Sequence, residues 1–267
     1  MIGKRWFKLA AAAICTVTVL LCGLNVAVDP FGVFGDRAYS WYAFNMTQNP
    51  RAAKLAYIER NHANYNAYVL GASNSSAFSP ELLDGYTGLK WYNMFNYGAD
   101  MAYTLKLAQW LVENAEVETF MLTLPYVAAS KFDEPPENIT YEPPPQIGGL
   151  ASQARFLLAN PRYAAAKIAD FQINSVLQES FDVFVPESGV YDKSTRDVEP
   201  IGSAAEYLER YPQFLKVPEK VSLTRLDECM DAVQTLVTLC ESRGIALTIV
   251  IPPMLEVVRS AYEPAEL

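Results

Sequence analysis

From Leu9 to Val28 the chain runs for twenty residues without a charged side chain. In an α-helix such a run is about 30 Å long, the thickness of a bilayer's hydrocarbon core, so it predicts one transmembrane helix. Lys4, Arg5 and Lys8 precede it and Asp29 follows it. That bias of positive charge predicts a cytoplasmic N-terminus and an external remainder. A cleaved signal peptide is the competing reading, but its apolar region is shorter and ends in an A-x-A-like site. Here the run ends in CGLNVAVDP, and bulky Leu21 before Cys22 argues against a lipoprotein signal.

Three of the 21 basic residues and none of the 30 acidic ones lie ahead of Leu9, so the rest of the chain has a formal charge of −12. Such a surface argues against nucleic acid as a partner. Cys229 and Cys240 are eleven residues apart on one expected helix, about 16 Å along its axis, too far for a disulfide. A single histidine and no C-x-x-C pattern leave no expected metal site, and no cofactor is expected.

After the apolar run, a connector rich in Pro and Gly leads to a helix from about Pro50 to His62, with Asn49 suited to cap it. Short apolar runs then alternate with helical stretches: AYVLG, a turn near SPELL, KWYNMF, a helix from about Ala99 to Asn114, and VETFMLTLP. The last unit reads as a helix from Leu223 to Arg243, with an apolar stripe at Leu226, Met230, Val233, Val237 and Cys240. Gly244 would stop it, and IALTIVIPP would follow as a buried strand. This alternation predicts an α/β fold with a doubly wound parallel sheet. Between the third and last strands, the prolines from Asp133 to Gly149 predict a loop that could overhang the sheet. The stretch ASQARFLLANPRYAAAKIADFQINSVLQ predicts helix broken near Asn160-Pro161, and no strand is expected in this insertion, about 126–222.

VLGASNSSAF is the stretch that most resembles chemistry. It would carry the first strand into a tight turn, with Gly71 permitting the bend and Ser73 just beyond the strand's carboxyl end, where open parallel sheets bind ligands. Read alone, GASNSS is also an ordinary turn rich in Ser and Asn. Together with YNMFNYGAD, the apolar anchor and VDPFGVFG, it resembles the SGNH/GDSL hydrolase-like family. The layout is similar to its membrane-anchored bacterial branch, which includes teichoic-acid D-alanyl transfer and alginate O-acetylation proteins. The resemblance runs from about Val26 to Pro253. It implies a flavodoxin-like sheet, Ser73 as the nucleophile, and the backbone N–H groups of Ser73 and Gly98 as an oxyanion hole.

Two departures accompany this resemblance. LTLPYV stands where the family has an Asn to complete the oxyanion hole, leaving Asn74 or Asn96 as candidate replacements. The family's Asp-x-x-His near the C-terminus has no counterpart before Leu267, so the chain is expected to be a fragment or a degenerate member. His62 precedes the first strand and belongs at its amino end, about five residues at 3.3 Å from Ser73. A serine without a base is a poor nucleophile.

Other signals are weaker. GASNSS lacks the later Gly or Lys of a phosphate-binding loop. Asp133, Glu134 and Glu137 sit among prolines, in a solvated loop rather than a pair of glycosidase carboxylates. NMT and NIT match glycosylation sequons. Trp91, Tyr92, Tyr126 and Tyr141 could stack on sugars, with core packing as the simpler role.

The expected layout is a cytoplasmic segment over 1–8, a transmembrane helix over 9–28, a connector and helix over 29–66, and the α/β domain over 67–267. The expected function is serine esterase or O-acyltransferase chemistry on an envelope polysaccharide or polymer, incomplete in this chain, with a membrane-bound acyltransferase as a possible partner. The alternative is an anchored, non-catalytic binding or scaffold protein. On this reading the C-terminal domain is extracytoplasmic and held to the cell membrane by a single pass.

Overall fold

The computed structural model describes residues 2–35, 38, 49–124, 139–177, 183–192, 202–210, 212 and 224–253. The described elements are, in order, α1 (Ile2–Val28), α2 (Pro50–Asn61), β1 (Ala67–Gly71), α3 (Pro80–Thr87), β2 (Trp91–Asn93), α4 (Met101–Asn114) and β3 (Thr119–Thr123). These are followed by α5 (Pro145–Leu157), α6 (Pro161–Leu177), β4 (Val183–Val185), β5 (Val190–Asp192), α7 (Ala204–Arg210), α8 (Leu226–Arg243) and β6 (Ala246–Val250). The chain divides into two compact units, one made of 1–60 and 137–186, the other of 61–136 and 187–267.

In the second unit, four parallel strands form a sheet in the order β2-β1-β3-β6. The fold is therefore mixed α/β, as the alternation predicts. Tyr68, Val69, Leu70, Tyr92, Phe120 and Leu122 are fully buried in it. Strands buried on both faces read as continuous apolar runs, which is why AYVLG shows no polar alternation. The last run, expected as a buried strand, is corrected: β6 is an edge strand of the sheet and no residue of it is fully buried, Ile249 being 40% exposed. Local chemistry ends the helices where expected. Ser79 accepts from the Leu82 N–H to cap α3, Asp100 accepts from the Tyr103 N–H to cap α4, and Gly244 closes α8 in the left-handed conformation (φ 67°).

The face that α8 buries shares Val233 and Cys240 with the expected stripe and differs at its other positions. Cys229, Ala232, Val233, Leu236 and Cys240 are buried, whereas Leu226 and Met230 are 39% and 50% exposed. Both sets recur at helical spacing. The buried one carries small residues, which allow α8 to lie close against α4, where Ala108 and Leu111 are fully buried. A reading weighted by hydrophobic size selects Leu and Met over Cys and Ala. Cys229 and Cys240 are both free thiols.

In the first unit, α1 continues into a buried turn. Phe31 packs on Phe156 and Tyr163, with ring centroids 5.3 Å apart in each pair, beside Ala52 and Ala159. The Asp29 carboxylate accepts from the N–H groups of Val33 (2.8 Å) and Phe34 (2.7 Å). The buried ammonium of Lys167 on α6 donates to the Asp29 carbonyl at 2.7 Å. Asn49 caps α2 as expected, accepting from the Ala52 N–H at 3.1 Å.

Two expectations for the insertion are corrected. The stretch from Asp133 to Gly149 is not wholly loop, since 139–141 form a 3₁₀ turn and α5 begins at Pro145; residues 125–138 lie outside those described. Pro144 at the N-cap and Pro145 in the first turn occupy places where a missing N–H costs nothing, so prolines here start a helix. The insertion also holds two short strands, β4 and β5, too brief to show a period. The break at Asn160-Pro161 is where α5 gives way to α6.

The rotation of α8 is tested by two truncations. Leu236→Ala should lose about 2–5 kcal/mol of stability, as buried Leu does, and Met230→Ala less than about 0.5 kcal/mol, read from denaturant midpoints of the purified chain. The reverse ranking would restore the stripe expected from sequence.

Candidate functional site

Strands in this sheet run from β1 outward to β2 and then back across to β3, so the direction of winding reverses between β1 and β3. A crevice opens beyond the carboxyl ends of the strands at such a reversal. The register places Gly71 of β1 beside Thr123 of β3. On the other side, the Asn96 N–H donates to the Gly71 carbonyl at 3.0 Å. Gly71 is thus the centre of this edge, with one polar residue on either flank.

Gly71 has φ +137°, and a Cβ there would collide with the Ser75 hydroxyl and lie 2.8 Å from the Thr123 carbonyl oxygen. Only glycine fits both the backbone and the space. The chain then turns through a 3₁₀ segment, Ser73–Ala77. Asn93, fully buried at the end of β2, holds that turn in place: its amide donates to the carbonyls of Ser75 (2.8 Å) and Phe78 (2.9 Å), and its Oδ1 accepts from the Phe95 N–H. The Ser75 N–H donates to the Ala72 carbonyl at 3.0 Å.

Ser73 opens this turn with its side chain exposed, and among the described residues nothing hydrogen-bonds its hydroxyl. No side chain caps the turn either, which leaves its first amides without an intrahelical acceptor. Asn74 follows it, with both amide atoms shielded from solvent and without a partner. Oδ1 of Asn96 and Oγ1 of Thr123 are likewise buried and unpaired. Gly98, two residues beyond Asn96, is exposed in the left-handed conformation (φ 58°). Ser73, Asn74, Asn96, Gly98 and Thr123 therefore lie along one edge of the sheet. Buried polar groups are normally paired, so these four atoms mark the edge as a candidate polar site, although Tyr68 and Gln146 also carry buried side-chain atoms without a partner.

Asn93 and Thr123 are not singled out by the sequence. A polar residue closing an apolar run, as in WYN and TFMLT, is the signal that locates both.

His62 lies in a 3₁₀ turn ahead of β1, at the opposite end of the strand from Ser73. Asp100 is engaged by Arg225 at 3.4 Å as well as by the α4 amide it caps. A small hollow of about 50 Å³ also lies between Asp100, Arg225 and Cys229. Burial raises the Cys229 thiol's pKa there, and a protonated thiol is neither nucleophile nor metal ligand. No group of three or more potential metal ligands occurs among the described residues.

Trp91 and Tyr92 are buried in the core. Tyr141 is covered by the Arg51 guanidinium, 5.6 Å from its ring centroid. Tyr126, Asp133, Glu134, Glu137 and the asparagines of both sequons, Asn45 and Asn138, lie outside the described residues. No family model matches the chain, and no curated protein or solved structure matches it.

Gly71→Ala should cost about 2–4 kcal/mol, from the strained φ and the clash with Ser75 and β3. Ser73→Ala should stay within about 0.5 kcal/mol, because its side chain is exposed. Thermal or denaturant unfolding of the two variants measures the contrast.

Proposed function

We propose that this protein is a membrane-anchored α/β protein whose Ser73 edge binds an acyl ester on a cell-envelope polysaccharide or polymer. The observation that carries the reading is an exposed hydroxyl on a braced turn at the strand reversal, beside buried polar atoms that lack partners. A carbonyl, hydroxyl or amide of a glycan ester would satisfy those atoms. The order β2-β1-β3-β6 agrees with a flavodoxin-like, doubly wound sheet, and the GAS and YNMFNYGAD segments give the resemblance to the SGNH/GDSL hydrolase-like family its two positions here. In that reading Ser73 is the acyl acceptor, and the backbone N–H groups of Ser73 and Gly98, with Asn74, face the developing oxyanion. A membrane-bound acyltransferase would be the acyl donor's source.

Retention of the apolar helix supports the anchor. Asn25 and Val28 are buried, and the Asn25 amide donates to the carbonyls of Leu157 and Ala159, both at 2.9 Å. Cleavage ahead of Asp29 would remove these groups from the core of the first unit. Helix α1 is long and apolar enough to span a membrane, with a mean hydropathy of 2.2 over an 18-residue window within Lys4–Val28. The basic residues ahead of it favour an external α/β unit.

One observation favours a second reading, binding without turnover. The single histidine of the chain is at the wrong end of β1 to take a proton from Ser73, and a positioned base is worth about 10²–10⁴-fold in rate. The 267-residue chain should therefore react slowly with a fluorophosphonate probe, and Ser73→Ala should abolish that labelling. Rapid labelling lost in the variant would mean that another residue activates the serine, which excludes the binding-only reading. Labelling unchanged in the variant would remove Ser73 from the site, and none in the wild type would favour the binding-only reading.

A further inference from the structure

We infer that the corner between α5 and α6 is a second membrane contact, lying in the outer interface of the bilayer beside the exit of α1. The inference rests on the anchor reading above and concerns residues of the first unit alone. Its starting point is Asn25, three residues before the end of α1 and so about 4–5 Å inside it. The Asn25 amide is tied to the carbonyls of Leu157 and Ala159, the last residue of α5 and the second residue beyond it. If α1 spans the hydrocarbon core up to Val28, those hydrogen bonds hold the α5–α6 corner at the level where the core meets the headgroups. They also satisfy the amide N–H groups of a polar side chain, which lipid alone could not.

The surface at that level matches the surroundings it would meet. Beyond Gly149, where the backbone of α5 breaks (φ 66°), Leu150, Ala154 and Leu158 recur at four-residue spacing. Leu150 is 83% exposed and Leu158 52%, so water contacts an apolar row that the fold itself leaves uncovered. Ala154 and Leu158 also border an open hollow of about 400 Å³. Of the basic residues near this row, Lys167 is buried on the Asp29 carbonyl and Arg155 is paired with Glu142 at 2.6 Å, which leaves Arg162 as the exposed cation. The Arg162 guanidinium sits 4.8 Å from the centroid of Tyr163. Basic and aromatic groups flanking an apolar row are what an interfacial element presents to anionic headgroups and acyl chains.

Nitroxide labels on the full chain in phosphatidylcholine–phosphatidylglycerol nanodiscs test this. Cys15 and Cys22 are replaced by alanine. Cys229 and Cys240 stay, because both are buried and burial keeps their thiols protonated; the parent without added cysteine is the blank. Leu158→Cys, repeated with Leu150→Cys, is compared with Leu20→Cys in the span and Ser242→Cys on exposed α8. The expected result is that the Leu158 label loses access to a water-soluble nickel chelate while colliding readily with oxygen, as Leu20 does and Ser242 does not. A Leu158 label as open to the chelate as Ser242 overturns the inference and leaves the anchor standing. A label shielded from both agents also overturns it, in favour of cover by a second polypeptide. If Leu20 is open to the chelate, the anchor reading fails and this inference falls with it.

Discussion

The candidate site depends on the absence of a side chain at Gly71. The end of β1 is pressed between the Ser75 hydroxyl and the end of β3, closer than any Cβ could lie. That approach lets the chain leave the sheet at once and double back, so that Ser73 emerges at the edge instead of extending the strand. A bulkier residue would push the turn outward and separate Ser73 from Asn96 and Thr123. The turn is then held by one buried side chain, Asn93, whose three hydrogen bonds join β2 to the turn and to its own following residues. Each such bond contributes about 1 kcal/mol net and would cost more if left half-made, so the position of the turn follows from the core of the sheet.

A similar economy operates at the other end of the chain. The exit of α1 carries Asn25 and Asp29, polar residues at the end of an apolar helix, and each is enclosed by the unit's own hydrogen bonds. Lys167 completes the enclosure from α6 through the Asp29 carbonyl. Among the described residues, the apolar helix is therefore continuous with a folded turn over 29–35. An anchor joined in this way fixes the height and tilt of the helices packed on it, which is what the proposed interfacial role of α5 and α6 requires.

On the proposed reading, binding and turnover make different demands on this edge. Unpaired polar atoms at Asn74, Asn96 and Thr123 offer a polar ligand several hydrogen bonds without displacing existing ones. Turnover also needs a proton acceptor for Ser73. His62 is separated from it by the length of β1, and Asp100 is committed to Arg225 and to the start of α4.

Features that depend on a few adjacent residues were legible before the structure. Asn49 and Gly244 mark helix ends because a cap acts within three or four residues of itself. The apolar runs of β1 and β3 and the turn at Gly71 follow from equally local rules, and so does the place of Ser73 after a strand. The face of α8 was misread, because its burial is decided by α4, more than a hundred residues away, and close approach favours Cys229 and Ala232 over Met230. The roles of Asn93, Thr123 and Asn25 were invisible for the same reason: each is defined by a partner or a gap that the chain reaches only after folding. The sequence by itself determined the apolar span, the alternating α/β pattern and the conformational need for glycine at position 71. Tertiary structure decided which polar groups meet at the sheet's edge and which are left without partners, because parallel pairing brings together segments that no local periodicity relates.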